Sequence, residues 1–207
     1  MSHETEFIHR FEPGDDPGRP VLLALHGTGG DETDLLPLAR MIDRHASTLS
    51  PRGKVLEQGL PRYFRRLAEG VFDQEDLRLR TRELAEFLGS AAARYAFDPS
   101  RIIAVGYSNG ANIAASLLLS GLGRLQGAIL LRPMVPFEPE AVPPLNGKQI
   151  LLSASRQDPI VPPHLTERLA ELLESGGAAV TTRWYVGGHG LSPQEIKDAA
   201  AWYGERF

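Results

Sequence analysis

Four contiguous apolar runs punctuate the chain: "VLLAL" (residues 21–25), "IIAV" (102–105), "AILL" (128–131) and "ILL" (150–152), the last continuing as "SAS". A strand wetted on one face alternates polar and apolar residues. Runs without that alternation read as strands covered on both faces, which is the habit of parallel sheets. Helical patterns lie between them. Residues 31–43 suggest a helix with Asp31 or Thr33 near its cap. Residues 75–96 carry Leu77, Leu84, Phe87, Leu88 and Ala91 along one stripe. Residues 109–120 are small and apolar throughout. A further helix has Pro162 and Pro163 near its start and Gly176 past its end, and a last one opens on Ser192 and Pro193. "FIHRF" (7–11) reads as an edge strand, "HASTLSPRG" as a weak strand ending at Pro51, and "AAVTTRWYV" as a strand with Trp184 or Tyr185 in the core. Residues 50–73 and 132–148 read as irregular. The alternation of strand and helix predicts an α/β fold: a mostly parallel sheet of about seven strands with helices on both faces.

The 207 residues are expected to form one domain, 1–207. A net charge of −4 carries no nucleic-acid footprint. The absence of cysteine excludes disulfides, thiolate metal sites and a cysteine nucleophile. "MSHETEFIHRF" lacks the apolar centre of a signal peptide, and no apolar run approaches the ~20 residues of a membrane span. The expected location is the cytoplasm, without integral membrane association.

The run "IIAV" leads straight into Gly106-Tyr107-Ser108-Asn109-Gly110, and a small-residue helix follows. Gly-x-Ser-x-Gly between a buried strand and a helix is the pattern of a nucleophile elbow. The sharp turn thrusts the serine outward at the carboxyl end of the strand, where open α/β sheets bind ligands. Side chains at Gly106 or Gly110 would collide across the turn.

Serine is a weak nucleophile and needs a base, which a third group must orient. In this arrangement the acid and then the histidine follow the serine in the chain. Asp158 leaves a buried strand at the right end of the sheet; Asp198 falls inside the last helix, and Glu138 and Glu140 are the fallback acids. His189, in "GGHG" after a strand, is favoured as base over His164, which sits near a helix start. Backbone N–H groups for an oxyanion are expected from Asn109 and from Thr28 in "HGTGG". His26 reads as a brace for that loop.

The pieces "LLALHGTGGDETDLLPLA", "GYSNGANIA", "SASRQDPIVPP" and "GGHGLSPQEI" resemble the carboxylesterase, phospholipase and acyl-protein thioesterase family of α/β-hydrolases, and "SPRGKVLEQGLPRYFRRLAEGVFDQEDL" resembles its bacterial carboxylesterase branch. The resemblance spans about residues 8–205. It implies an α/β-hydrolase fold without a lid domain, catalytic Ser108, Asp158 and His189, and oxyanion donors Thr28 and Asn109. It implies hydrolysis of carboxylic esters with small or medium acyl and alcohol groups through an acyl-enzyme, with a small-molecule ester as partner and no cofactor or metal. The eukaryotic thioesterases carry leucine where this chain has Thr28, and Gly-Phe-Ser-Gln-Gly at the elbow; both departures point away from depalmitoylation. A thioesterase or lysophospholipase-like hydrolase is the alternative, and a non-catalytic hydrolase-fold binding protein is another. A homodimer is one expected oligomeric state. Arg62, Tyr63 and Phe64 are substrate-rim candidates, for an anionic or aromatic group, or else a basic loop with one ring packed down. The proline-rich residues 132–148 are expected to form a stiff second rim around an open, shallow site.

Overall fold

The structure, a computed structural model, describes residues 6–207. Residues 1–5, where the polar N-terminal segment begins, lie outside the described residues. In chain order the elements are β1 (His9–Glu12), β2 (Val21–Leu25), α1 (Leu36–Ile42), β3 (Thr48–Pro51), β4 (Val55–Glu57), β5 (Leu60–Arg62), β6 (Arg66–Ala68), β7 (Val71–Phe72) and α2 (Gln74–Tyr95). They continue with β8 (Ile102–Tyr107), α3 (Asn109–Leu119), β9 (Gly127–Leu131), β10 (Gln149–Ser155), α4 (Pro163–Ser175), β11 (Ala179–Tyr185) and α5 (Pro193–Gly204).

Seven strands pair in the order β1-β3-β2-β8-β9-β10-β11. β1 is antiparallel to β3, and the other pairings are parallel. Successive side chains of the central strands enter opposite cores, as the two-residue period of a strand requires. Leu23, Leu25, Ile102 and Ala104 pack beneath α2, α3 and α4. Leu22, Ala24, Ile103 and Val105 pack beneath α1 and α5. The contiguous apolar runs therefore serve two cores at once.

Three local readings need correction. Helix α1 starts later than expected. Asp31 accepts hydrogen bonds from its neighbour's backbone, Thr33 N, and from Thr33 Oγ1, both at 2.7 Å, so Asp31 closes a tight turn instead of capping the helix. The helix begins only with Leu36 and Pro37. Residues 50–73 are not irregular: β4 pairs with β5 and β6 with β7, giving two small antiparallel hairpins. Neither Trp184 nor Tyr185 is in the core; both are half-buried, because β11 is the last strand of the sheet.

Two contacts set the geometry on which the site is built. Helix α3 begins hard against the end of β2: a Cβ placed on Gly110 would lie 2.0 Å from Leu25 O and 2.6 Å from His26 O. Helix α5 is tied to the sheet by a buried ion pair. Arg132, after β9, meets Glu195 with Nη1–Oε2 at 2.5 Å and Nη2–Oε1 at 2.8 Å, and Ser153 Oγ donates to Oε2 at 2.9 Å. Glu195 also accepts from Ser192 N and so completes the cap of its own helix. Burial opposes its charge, but the bonds from Arg132, Ser153 and Ser192 outweigh it and hold the carboxyl below the usual range.

Gly110→Ala should destabilise the fold by about 3 kcal/mol or more, because backbone, not a movable side chain, occupies the space. Gly89→Ala is the opposite case, an exposed mid-helix glycine with open space around it. It should stabilise by roughly 0.5–1 kcal/mol. Urea unfolding of both variants measures the difference. Glu195→Gln should cost about 3–5 kcal/mol at neutral pH by stranding a buried guanidinium. A carboxyl with a depressed folded pKa contributes stability above its unfolded value and loses it as pH falls. The gap between wild type and Glu195→Gln should therefore narrow on acidification below the ordinary carboxylate range, which unfolding at neutral and acid pH would register.

Candidate active site

Strand β8 turns into α3 through Ser108, whose backbone sits at φ 52°, ψ −113°. That is a costly conformation for a residue with a side chain, and it survives only where the surroundings enforce it. Here they do. Ser108 N donates to Leu131 O at 2.8 Å, and Ser108 O accepts from Asn112 N at 3.0 Å. A Cβ on Gly106 would stand 2.6 Å from Gly110 O, so the turn closes only with glycine at that position.

His189 Nε2 lies 2.8 Å from Ser108 Oγ, and its Nδ1 lies 2.8 Å from Asp158 Oδ2. The carboxylate can only accept, so Nδ1 carries the proton and Nε2 is left to accept from the serine hydroxyl. Asp158 is buried, and its Oδ1 accepts from Ile160 N at 2.8 Å and Val161 N at 3.1 Å. Those two amides fix the carboxylate so that Oδ2 faces the imidazole. The other candidates lie elsewhere. His164 is exposed on α4, Glu138 pairs with Arg168 at 2.7 Å, Glu140 is exposed, and Asp198 accepts from Tyr185 OH.

The loop after β2 is braced from within. His26 Nδ1–H donates to Gly27 O at 2.7 Å, and Nε2 accepts from Gly53 N at 2.9 Å. Burial holds the His26 imidazole below its ordinary pKa, so it is neutral, as its accepting role demands. Thr28 Oγ1 accepts from Arg62 Nη1 at 2.6 Å. Asn109 opens α3, where backbone N–H groups have no partner within the helix. Its side-chain Oδ1 accepts from Tyr63 N at 2.7 Å.

A cavity of about 360 Å³ brings Ser108, His189, Thr28 and Asn109 to one surface. Its polar wall includes Arg62 and Arg66, and Phe72, Met134, Ile160 and Val161 make an apolar wall. The three rim candidates separate here. Arg62 reaches the cavity, although it is largely buried and Glu57 lies 3.3 Å from it. Tyr63 and Phe64 do not line it. Tyr63 OH donates to Pro51 O at 2.6 Å, and Phe64 packs edge-on against Phe72, so both rings anchor the hairpins from below. The rim comes chiefly from residues 62–72; of the proline-rich segment 132–148, only Met134 reaches the cavity.

Three residues at the site escaped the sequence reading. Tyr107 OH donates to His189 O at 3.1 Å. Asn112 Oδ1 accepts from Met134 N at 2.9 Å. Arg132 Nε lies 3.8 Å from Asp158 Oδ2. Tyr107 and Asn112 stand one residue before and four after the serine, and that adjacency is the only local signal they offered.

The model of the phospholipase/carboxylesterase family matches residues 8–203. The MhqD protein of Bacillus subtilis (strain 168) is 48% identical over 197 residues, covering 95% of this chain and 98% of that protein. The Bacillus cereus carboxylesterase structure superimposes with a TM-score of 0.95 at 52% identity, covering 97% of this chain and 95% of the other. The carboxylesterase of Mesorhizobium loti does so with a TM-score of 0.83 at 33% identity, covering 91% of each chain. The parallel sheet, its flanking helices and these matches together show that the chain has the α/β-hydrolase fold and belongs to the phospholipase/carboxylesterase family.

Proposed function

We propose that the chain is a serine hydrolase of carboxylic esters, with Ser108 as nucleophile, His189 as general base and acid, and Asp158 as the group that orients the imidazole. The reading is carried by one observation: two successive 2.8 Å contacts link the serine hydroxyl, imidazole and buried carboxylate, and Ser108 and His189 line a cavity.

The chemistry follows from those positions. Ser108 Oγ attacks the acyl carbon while its proton passes to His189 Nε2. The carbonyl π electrons move onto oxygen, and the N–H groups of Thr28 and Asn109 stabilise the resulting oxyanion. Collapse of the intermediate expels the alkoxide, which takes the proton from His189. An acyl-serine remains. Water then attacks the acyl carbon and gives a proton to the same imidazole; the second intermediate expels Ser108 Oγ, which takes that proton from His189, and the carboxylic acid is released. Asp158 holds the ring and balances the imidazolium that forms twice per cycle.

The apolar wall of Phe72, Met134, Ile160 and Val161 suits the hydrocarbon part of a small or medium ester. A deeply buried long chain is less well served by this volume.

A fluorophosphonate probe should label Ser108, read by peptide mapping; an unlabelled serine in active protein would sink the assignment. Ser108→Ala should lower kcat by at least about 10³-fold with the unfolding midpoint retained. Rates on matched oxygen and sulfur esters of one acyl group decide between esterase and thioesterase.

A further inference from the structure

Residues 187–190 read Gly-Gly-His-Gly. Gly187 takes φ 144°, which side-chain-bearing residues rarely adopt. Each of its three glycines loses more backbone freedom on folding than another residue would. Left to itself it would spread the imidazole over many positions. Yet all four successive carbonyls are held by side chains from elsewhere. Ser155 Oγ donates to Gly187 O. Arg132 Nε donates to Gly188 O at 3.3 Å. Tyr107 OH donates to His189 O, and Arg132 Nη2 to Gly190 O at 2.9 Å.

Arg132 thus grips the residues on both sides of His189. It does so with donors left over from its ion pair. Glu195 fixes the guanidinium plane through two short bonds, and both side chains are at most 2% exposed. A buried ion pair is a poor way to gain stability, since well-packed apolar residues commonly do as well. What an apolar pair cannot do is present further N–H donors in a rigid fork. Lysine cannot do it either, because its donors radiate from a single point.

We propose that Arg132, oriented by Glu195 and assisted by Tyr107 and Ser155, is a positioning residue that sets His189 over Ser108. The inference rests on the Ser108–His189–Asp158 reading above. It makes rate, not substrate binding, the quantity that depends on Arg132.

The test uses p-nitrophenyl butyrate and the fluorophosphonate probe on three variants of the full chain. Arg132→Lys keeps the charge but loses the fork. The double variant Arg132→Met, Glu195→Met removes both buried charges together. Ser155→Ala removes the donor to Gly187 O. Both Arg132 variants should lose about 100-fold in kcat while KM stays within about two-fold, and labelling of Ser108 should slow in step. Ser155→Ala should lose about five-fold in kcat in the same manner. A merely structural role would shift the unfolding midpoint and leave kcat of the folded protein alone. A folded Arg132 variant that keeps kcat within about three-fold of wild type would overturn the proposal. If neither Arg132 variant folds, Ser155→Ala decides: a kcat loss at constant KM supports it, and an unchanged kcat overturns it. Failure of the wild type to label at Ser108 would instead overturn the hydrolase reading itself.

Discussion

The architecture of the site depends on one backbone-to-backbone approach. Helix α3 can start where it does only because Gly110 offers no Cβ to the carbonyls of Leu25 and His26. The parallel pairing of β2 with β8 sets the ends of the two strands side by side. The loop carrying Thr28 and the turn carrying Ser108 therefore share one edge of the sheet. Between β8 and α3 the chain passes through a positive-φ conformation at Ser108. The strain is local, and the surrounding parallel sheet, buried on both faces, absorbs it.

The small helix after the serine does more than follow it. Asn109 and Asn112 each spend a side-chain oxygen on a backbone N–H of a distant segment, Tyr63 in one case and Met134 in the other. The two walls of the cavity are thereby pinned to the element that follows Ser108. Buried amide side chains that satisfy loop donors fix those loops without strand pairing. The proposed base has a separate support on the far side, where Arg132 and Glu195 join β9, β10 and α5. The site is thus held from two directions, in each case by hydrogen bonds from buried polar side chains.

Much of this was legible in the residues. The contiguous apolar runs called for a parallel sheet because only strands covered on both faces can be apolar throughout. Gly-x-Ser-x-Gly after one of them called for an outward-pointing serine, since a strand-to-helix turn that sharp admits nothing larger at its flanks. Chain order and a place after strands single out Asp158 and His189, and the fold sets the two side chains 2.8 Å apart. The hairpins of residues 55–72 were not legible, because strands of two or three residues carry no periodicity. Nor was the burial of Tyr63 and Phe64, which depends on a floor made by His26, Pro51 and Phe72.

By itself the sequence determined the order of strands and helices and the sharp turn at Ser108, because these are matters of short-range sterics and hydrophobic periodicity. Only the tertiary structure decided that Arg132 reaches across 56 and 58 residues to hold the carbonyls flanking His189, and that Glu195 holds Arg132. Hydrogen bonds of that reach leave no period and no spacing in the chain. They exist only once the sheet has set β9, β10 and α5 side by side.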